Sequence, residues 1–137
     1  MAFTGNYTCD VFKSGLLTGA FNFSSGSFYM ALYTNNATLN ASTTAYTTTG
    51  EVSASGYTAG GVLLTGATVA ISNGVAYLTF NNPSWTAAFT ARGALIYKAG
   101  DNGAVCVLDF GSDKTCTTTF EVQFPTATST SAIIRLV

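Results

Sequence analysis

The sequence predicts an all-β domain, a β-sandwich or closed barrel with one short helix near its start. Three observations predict it. Short runs of aromatic and β-branched residues recur along the chain, separated by Gly and Asn turn residues. Asn73-Gly74 sits between two alternating apolar segments, the strongest short-range hairpin signal. Only one stretch carries helical periodicity. At 137 residues the chain is expected to form a single domain over 1–137, with 1–20 as an N-terminal arm or helix. A domain of this size needs neither disulfide nor metal to fold.

Asp10 to Leu17 places Val11, Phe12, Leu16 and Leu17 near one helical face. Thr8 or Asp10 is the expected cap and Gly19 the expected stop. Gly15 inside it costs about 1 kcal/mol against Ala, so the helix is short. The alternative is an irregular arm that orders only on a neighbour. Phe28 to Tyr33 is a six-residue strand, rich in aromatics. Thr34 to Thr49, mostly Thr, Asn and Ala, reads as a long surface loop; unstructured loops of this length usually serve function or form interfaces. Glu51 to Leu64 carries a weaker strand broken by Gly56, Gly60 and Gly61.

The Asn73-Gly74 turn fixes a register. Ser72 faces Val75, Ile71 faces Ala76, Val69 faces Leu78 and Ala67 faces Phe80. One face then collects Ala67, Val69, Ile71, Ala76, Leu78 and Phe80, and the other is mixed, as in a half-buried antiparallel pair. Leu95 to Tyr97 and Val105 to Phe110 flank a second hairpin turn at Ala99 to Gly103. Phe120, Val122 and Phe124 alternate with polar residues until Pro125 ends that strand. Ala132 to Val137 is a final strand tied into a sheet.

Charge is scarce. Asp, Glu, Lys and Arg make up 8% of the chain, against about 25% in ordinary soluble domains. Solvent-facing positions must therefore be filled by Thr, Ser, Asn and Gly. That surface suits a subunit packed against copies or partners. A net charge of −1 leaves no basic footprint for nucleic acid. The mean hydropathy of +0.34 is high, yet no apolar run approaches the roughly 20 residues of a membrane span. Met1 to Asn6 shows neither a basic nor an apolar leader region, so synthesis in a cytoplasm is the expectation.

Histidine is absent, which removes the commonest general base and metal ligand. Cys9, Cys106 and Cys116, odd in number and widely spaced, are expected as reduced, partly buried thiols. Asp109 and Asp113 are the nearest carboxylate pair, but beside Lys114 they read as a turn with a local ion pair. Asp101 with Asn102-Gly103 lacks the repeated carboxylates of a calcium loop. Gly56 to Gly61 lacks the lysine and the strand-to-helix context of a phosphate loop. No catalytic residue, metal or cofactor is expected. Trp85, Arg92 and the tyrosines stand out because interfaces enrich these types. An exposed tyrosine row with Trp85 would also stack sugars.

Several longer stretches bear a resemblance. Phe12-Lys13 with Leu16-Leu17, Met30 to Thr34, Ala37 to Tyr46, Gly50-Glu51-Val52 and Gly56 to Gly61 resemble a family of small virion structural proteins of tailed bacteriophages. The likeness returns at Thr90 to Tyr97, Val107 to Gly111, Asp113-Lys114, Phe120 to Thr126 and Ala132 to Arg135. It covers nearly the whole chain, and is weakest at the extreme N-terminus and over Ile71 to Thr86. The resemblance implies a non-enzymatic particle component and supplies no catalytic residues. The resulting expectation is a jelly-roll-like β-sandwich acting as a capsid cement or decoration protein in the virion. Its expected partners are the major capsid protein and copies of itself, as a homo-oligomer on the particle. The alternatives are a tail, neck or fibre-associated component, or a carbohydrate-binding attachment module. The expected contact residues are Phe3, Tyr7, Phe12, Asn36, Leu39, Tyr46, Trp85 and Arg92, with the segment Ala2 to Leu17 and the loop Thr34 to Thr49 forming much of the surface.

Overall fold

A computed structural model describes residues 3–137; Met1 and Ala2, the first residues of the expected arm, lie outside the described residues. The elements in chain order are β1 (Tyr7–Thr8), α1 (Asp10–Thr18), β2 (Phe28–Tyr33), β3 (Val62–Leu63), β4 (Thr68–Ser72) and β5 (Val75–Thr79). They continue with β6 (Ser84–Trp85), β7 (Phe89–Lys98), β8 (Ala104–Cys116), β9 (Phe120–Glu121) and β10 (Ile134–Leu136). The chain is all-β with one short helix, as the sequence predicts. All pairings are antiparallel. A five-stranded sheet runs β1-β8-β7-β2-β3, a three-stranded sheet β10-β5-β4, and β6 pairs with β9.

One hydrophobic core joins the three sheets. Phe28 of β2 meets Phe80, just after β5, at 6.2 Å between ring centroids, and Phe23 stacks on Phe28 at 4.4 Å. At the other end Phe89 of β7 meets Phe120 of β9 at 5.1 Å, and Trp85 of β6 meets the same ring edge-on. Met30, Ala31, Leu32 and Tyr33 are consecutive and all fully buried. Successive strand side chains point to opposite faces, so both faces of the large sheet are covered here.

The expected N-terminal arm is part of this body. Phe3 and Cys9 are fully buried and Tyr7 and Thr8 pair with Val107 and Cys106. Phe3 fills the space above Gly93, where an added Cβ would lie 2.4 Å from the phenyl ring. Of the expected arm or helix, Asp10–Thr18 forms the helix, and Phe3 finds its cover at Gly93 of β7, far along the chain, a pairing that local sequence does not carry.

Helix α1 follows the prediction in extent and in its stop: Gly19 adopts a left-handed conformation at φ 77°. Its start differs. Cys9 stands at the N-cap with no side-chain cap, and neither Thr8 nor Asp10 provides one. The Asp10 N–H instead donates to the Ala41 carbonyl at 2.9 Å, so the long loop satisfies a free amide of the first turn. The Asn73-Gly74 hairpin forms with φ 53° and 77° at its centre and with the predicted register from Ser72↔Val75 to Val69↔Leu78. The second hairpin is longer than predicted, because β7 and β8 extend to Phe89 and Cys116. Three expected strands are shorter, the final one being Ile134–Leu136 in place of Ala132 to Val137. Regular pairing after Phe120 ends at Glu121, and in the Glu51 to Leu64 stretch only Val62–Leu63 is a strand.

Candidate interaction surfaces

The expected contact residues separate by burial. Phe3, Phe12, Leu39 and Trp85 lie in the core of the chain and offer no surface to a partner. Their apolar side chains are taken up by the chain's own sheets. Trp85, 4% exposed, packs between Tyr57 and Phe120, so it is not presented for stacking on a sugar. Arg92 is nearly buried as well. It sits at an irregularity in the β7–β8 register, and its Nε donates to Asp109 Oδ1 at 3.2 Å, with the two side chains 11% and 12% exposed. Asp109 Oδ1 also accepts from the Gly111 N–H at 2.8 Å, inside β8 where its register shifts, so the expected turn at Asp109 to Asp113 is an irregular stretch of strand. Asp109 is thus the partner of Arg92, not of Lys114. Tyr7 and Tyr46 are half-buried with their hydroxyls engaged, and only Asn36 is openly exposed.

The loop from Thr34 to Thr49 is clamped onto the body. Ala37 and Leu39 are buried in the core, and Ala45 bridges to Gly103. The fastening centres on Glu51, to which the sequence reading assigns no role. Its Oε1 accepts from the Tyr46 hydroxyl at 2.7 Å. Its Oε2 accepts from the Tyr57 hydroxyl at 2.7 Å and from the Gly60 N–H at 2.8 Å. Tyr57 in turn accepts from the Leu32 N–H at 2.8 Å. The Tyr33 hydroxyl donates to the Thr47 carbonyl and that of Tyr97 to the Gly60 carbonyl, both at 2.7 Å. Tyr46 stacks on Tyr97 at 4.7 Å, and Tyr97 on Tyr29 at 5.8 Å. Burial and the neighbouring carboxylate push the hydroxyls of Tyr33, Tyr46 and Tyr57 well above the usual phenol range. The tyrosines are structural ties between loop and sheet; their hydroxyls are proton donors already in use.

The cysteines are free, with Cys9 and Cys106 buried. Burial pushes the Cys9 thiol up to about 11 and raises that of Cys106 as well. Neither is a thiolate nucleophile. Among the described residues no three His, Cys, Asp or Glu side chains converge as a metal set.

Among the described residues, two grouped apolar regions reach the surface. A pocket of about 700 Å³ is lined by Leu108, Phe110, Phe120, Val122, Phe124 and Ile133, with Asn6 and Lys114 among the polar groups at its wall. The second region is the small sheet. Val69 is 58% exposed, Ile71 74% and Leu136 54%. These three share one face with Leu78 and Ile134, and beside them Phe12, Leu16 and Phe23 form the other wall of a narrow apolar groove. Sequence alternation placed Val69 and Ile71 on the apolar face; it did not show that this end of the face would stay uncovered.

Comparison with models of known protein families, with curated proteins and with solved structures returns no match.

Proposed function

We propose that the chain is a structural subunit of a tailed-bacteriophage particle, a cement or decoration protein that stabilises the head lattice through many copies. The particle comes from the sequence resemblance described above, and a jelly-roll-like relation between the sheets belongs to the same reading. The observation that carries the mechanism is the surface. The chain has five basic residues, and three of them face a carboxylate, as Lys13–Asp10, Arg92–Asp109 and Lys98–Asp101. What remains outside is largely neutral and hydrogen-bonding, with Thr38, Ser42, Thr44, Thr48 and Thr49 exposed along one loop. Such a surface exerts little long-range repulsion, so identical copies can pack closely. Each contact is modest, and multiplicity over the lattice supplies the strength.

The test is to locate and count the chain in purified particles. Hundreds of copies on the head, retained with little change as salt is raised, is the expected result, because few ion pairs are there to be screened. About a dozen copies or fewer, at the neck or tail, would replace the cement reading with a tail or fibre-associated role. The sugar-binding alternative rests on exposed aromatics, and buried Trp85 no longer supplies one.

A further inference from the structure

We propose that the outer edge of β4 pairs with the same edge of a second copy of this chain, joining two three-stranded sheets into one continuous antiparallel sheet.

Sheet edges carry free N–H and C=O groups, and proteins protect them with short strands, charges, prolines or bulges. The other edges in this fold follow that rule. β1 and β3, which end the large sheet, are two residues long, as are β6 and β9, and β8, which runs on past β1 to Cys116, carries Asp109, Asp113 and Lys114 and a register shift there. β10 is three residues long and carries Arg135. β4 has none of these protections. It is five residues long, Thr-Val-Ala-Ile-Ser, with no charge, no proline and no register shift against β5.

The hairpin geometry states which groups are free. In a two-residue hairpin the pair flanking the turn, here Ser72 and Val75, exchanges both backbone bonds, and bonded pairs then alternate. Thr68, Ala70 and Ser72 therefore bond inward to β5, while Val69 and Ile71 direct their N–H and C=O groups outward. A two-fold axis at Ala70 places Val69 opposite Ile71 of the second copy, and Ile71 opposite its Val69. Each of these pairs exchanges two N–H···O bonds, and Ala70 meets Ala70 as the non-bonded pair. Residues directly opposite in an antiparallel pair point to the same side. The exposed Val69 and Ile71 side chains of both copies thus form one apolar strip. No like charges oppose one another, because Thr68 to Ser72 carries none. The match of this edge to itself in register, bonding and charge selects a second copy as the occupant.

The inference specifies how copies meet under the proposed function, but it rests on the edge itself and is tested on the purified full chain, away from any particle. Sedimentation is expected to show a dimer. Ile71→Pro removes one outward N–H without touching the β4–β5 bonds, and Ile71→Lys places a charge in the strip. Both are expected to shift the chain to monomer while circular dichroism stays that of the folded protein. Ala70→Cys is expected to form an intermolecular disulfide on mild oxidation, since a non-bonded antiparallel pair holds its Cα atoms about 4.5 Å apart, within disulfide range. Thr68→Cys, which faces Ser72 of the other copy, is expected not to. A native chain that stays monomeric at the highest attainable concentration overturns the proposal. So does a dimer that survives both Ile71 variants, or one that Ala70→Cys fails to cross-link. A monomer whose Ile71→Lys variant no longer binds particles would assign the edge to a strand of another protein. Loss of head location with the dimer intact would overturn the proposed function and leave this pairing standing.

Discussion

The two larger sheets differ in how completely the fold covers them. β2 and β7 lie in the middle of the five-stranded sheet, and Met30 to Tyr33 and Ala94 to Ile96 are fully buried. β4 is β-branched and alternating, yet it buries none of its residues, and its partner β5 buries only Leu78. The difference is cover. The large sheet receives α1 and the long segment between β2 and β3, which inserts Ala37, Leu39, Val52 and Tyr57. The small sheet receives Phe12, Leu16 and Phe23 along one wall, and the cover stops short of Val69 and Ile71. Alternation therefore specifies which residues share a face; what lies over that face depends on segments far away in sequence.

The largest effect is expected where the large sheet is covered on both faces. Leu95→Ala, at a fully buried site, is expected to destabilise the chain by about 2–5 kcal/mol through lost transfer energy and a residual cavity. Denaturant unfolding would check it, and a change below 1 kcal/mol on the order of a surface substitution would contradict the burial described here. Next comes the fastening of the loop. Glu51→Ala leaves two phenols and one amide without their acceptor, and a loss of about 2–3 kcal/mol is expected. Glu51→Gln, which keeps a carbonyl acceptor, should recover part of it. If Glu51→Ala melts like the native chain, the loop is held by its apolar residues alone.

Gly74→Val tests the hairpin without touching any packing, because a Cβ there meets nothing within 4 Å. The expected loss is about 1–2 kcal/mol, all of it from left-handed backbone at φ 77°. An unchanged melting temperature would refute the turn. A smaller effect over ordinary conditions comes from pH. Burial raises the thiols of Cys9 and Cys106 and the hydroxyls of Tyr33, Tyr46 and Tyr57 in the folded chain. Unfolded thiols lose their proton near about 8.5 and phenols near about 10. Above those values the folded state holds more protons than the unfolded one, so stability falls as pH rises. Melting temperatures are expected to be level from about pH 6 to 8 and to decline beyond about 9, first through the thiols and then through the tyrosines. A rise in that range would reverse the sign. Least of all, Ile71→Ser in dilute protein is expected to move monomer stability by no more than about 0.5 kcal/mol, since the side chain is already 74% exposed.

Legibility in the sequence followed the distance over which each feature is determined. The Asn73-Gly74 register, the strand from Phe28 to Tyr33 and the helix stop at Gly19 are local and were readable. Burial of Phe3, Leu39 and Trp85 depends on partners from other parts of the chain, so their large apolar side chains read as interface when they are core. Glu51 carries no chemical signal of its own in the sequence; its role depends on Tyr46, Tyr57 and Gly60 converging in a segment without regular structure. The exposed β4 edge had a signal of its own, an uncharged β-branched run with no lysine or proline, that goes beyond its register.

The pairing of Tyr7 and Thr8 with Val107 and Cys106 also has a consequence in time. The first strand closes a loop of roughly 100 residues, so its partner does not exist until most of the chain has been synthesised. Until then Phe3 and Cys9 lack the strands that bury them, and the bare edge of β4 is present in an incomplete body. Folding should therefore finish late and together, with the segment made first among the last to settle, and the interval before that closure is when the chain is most exposed to mispairing with its neighbours.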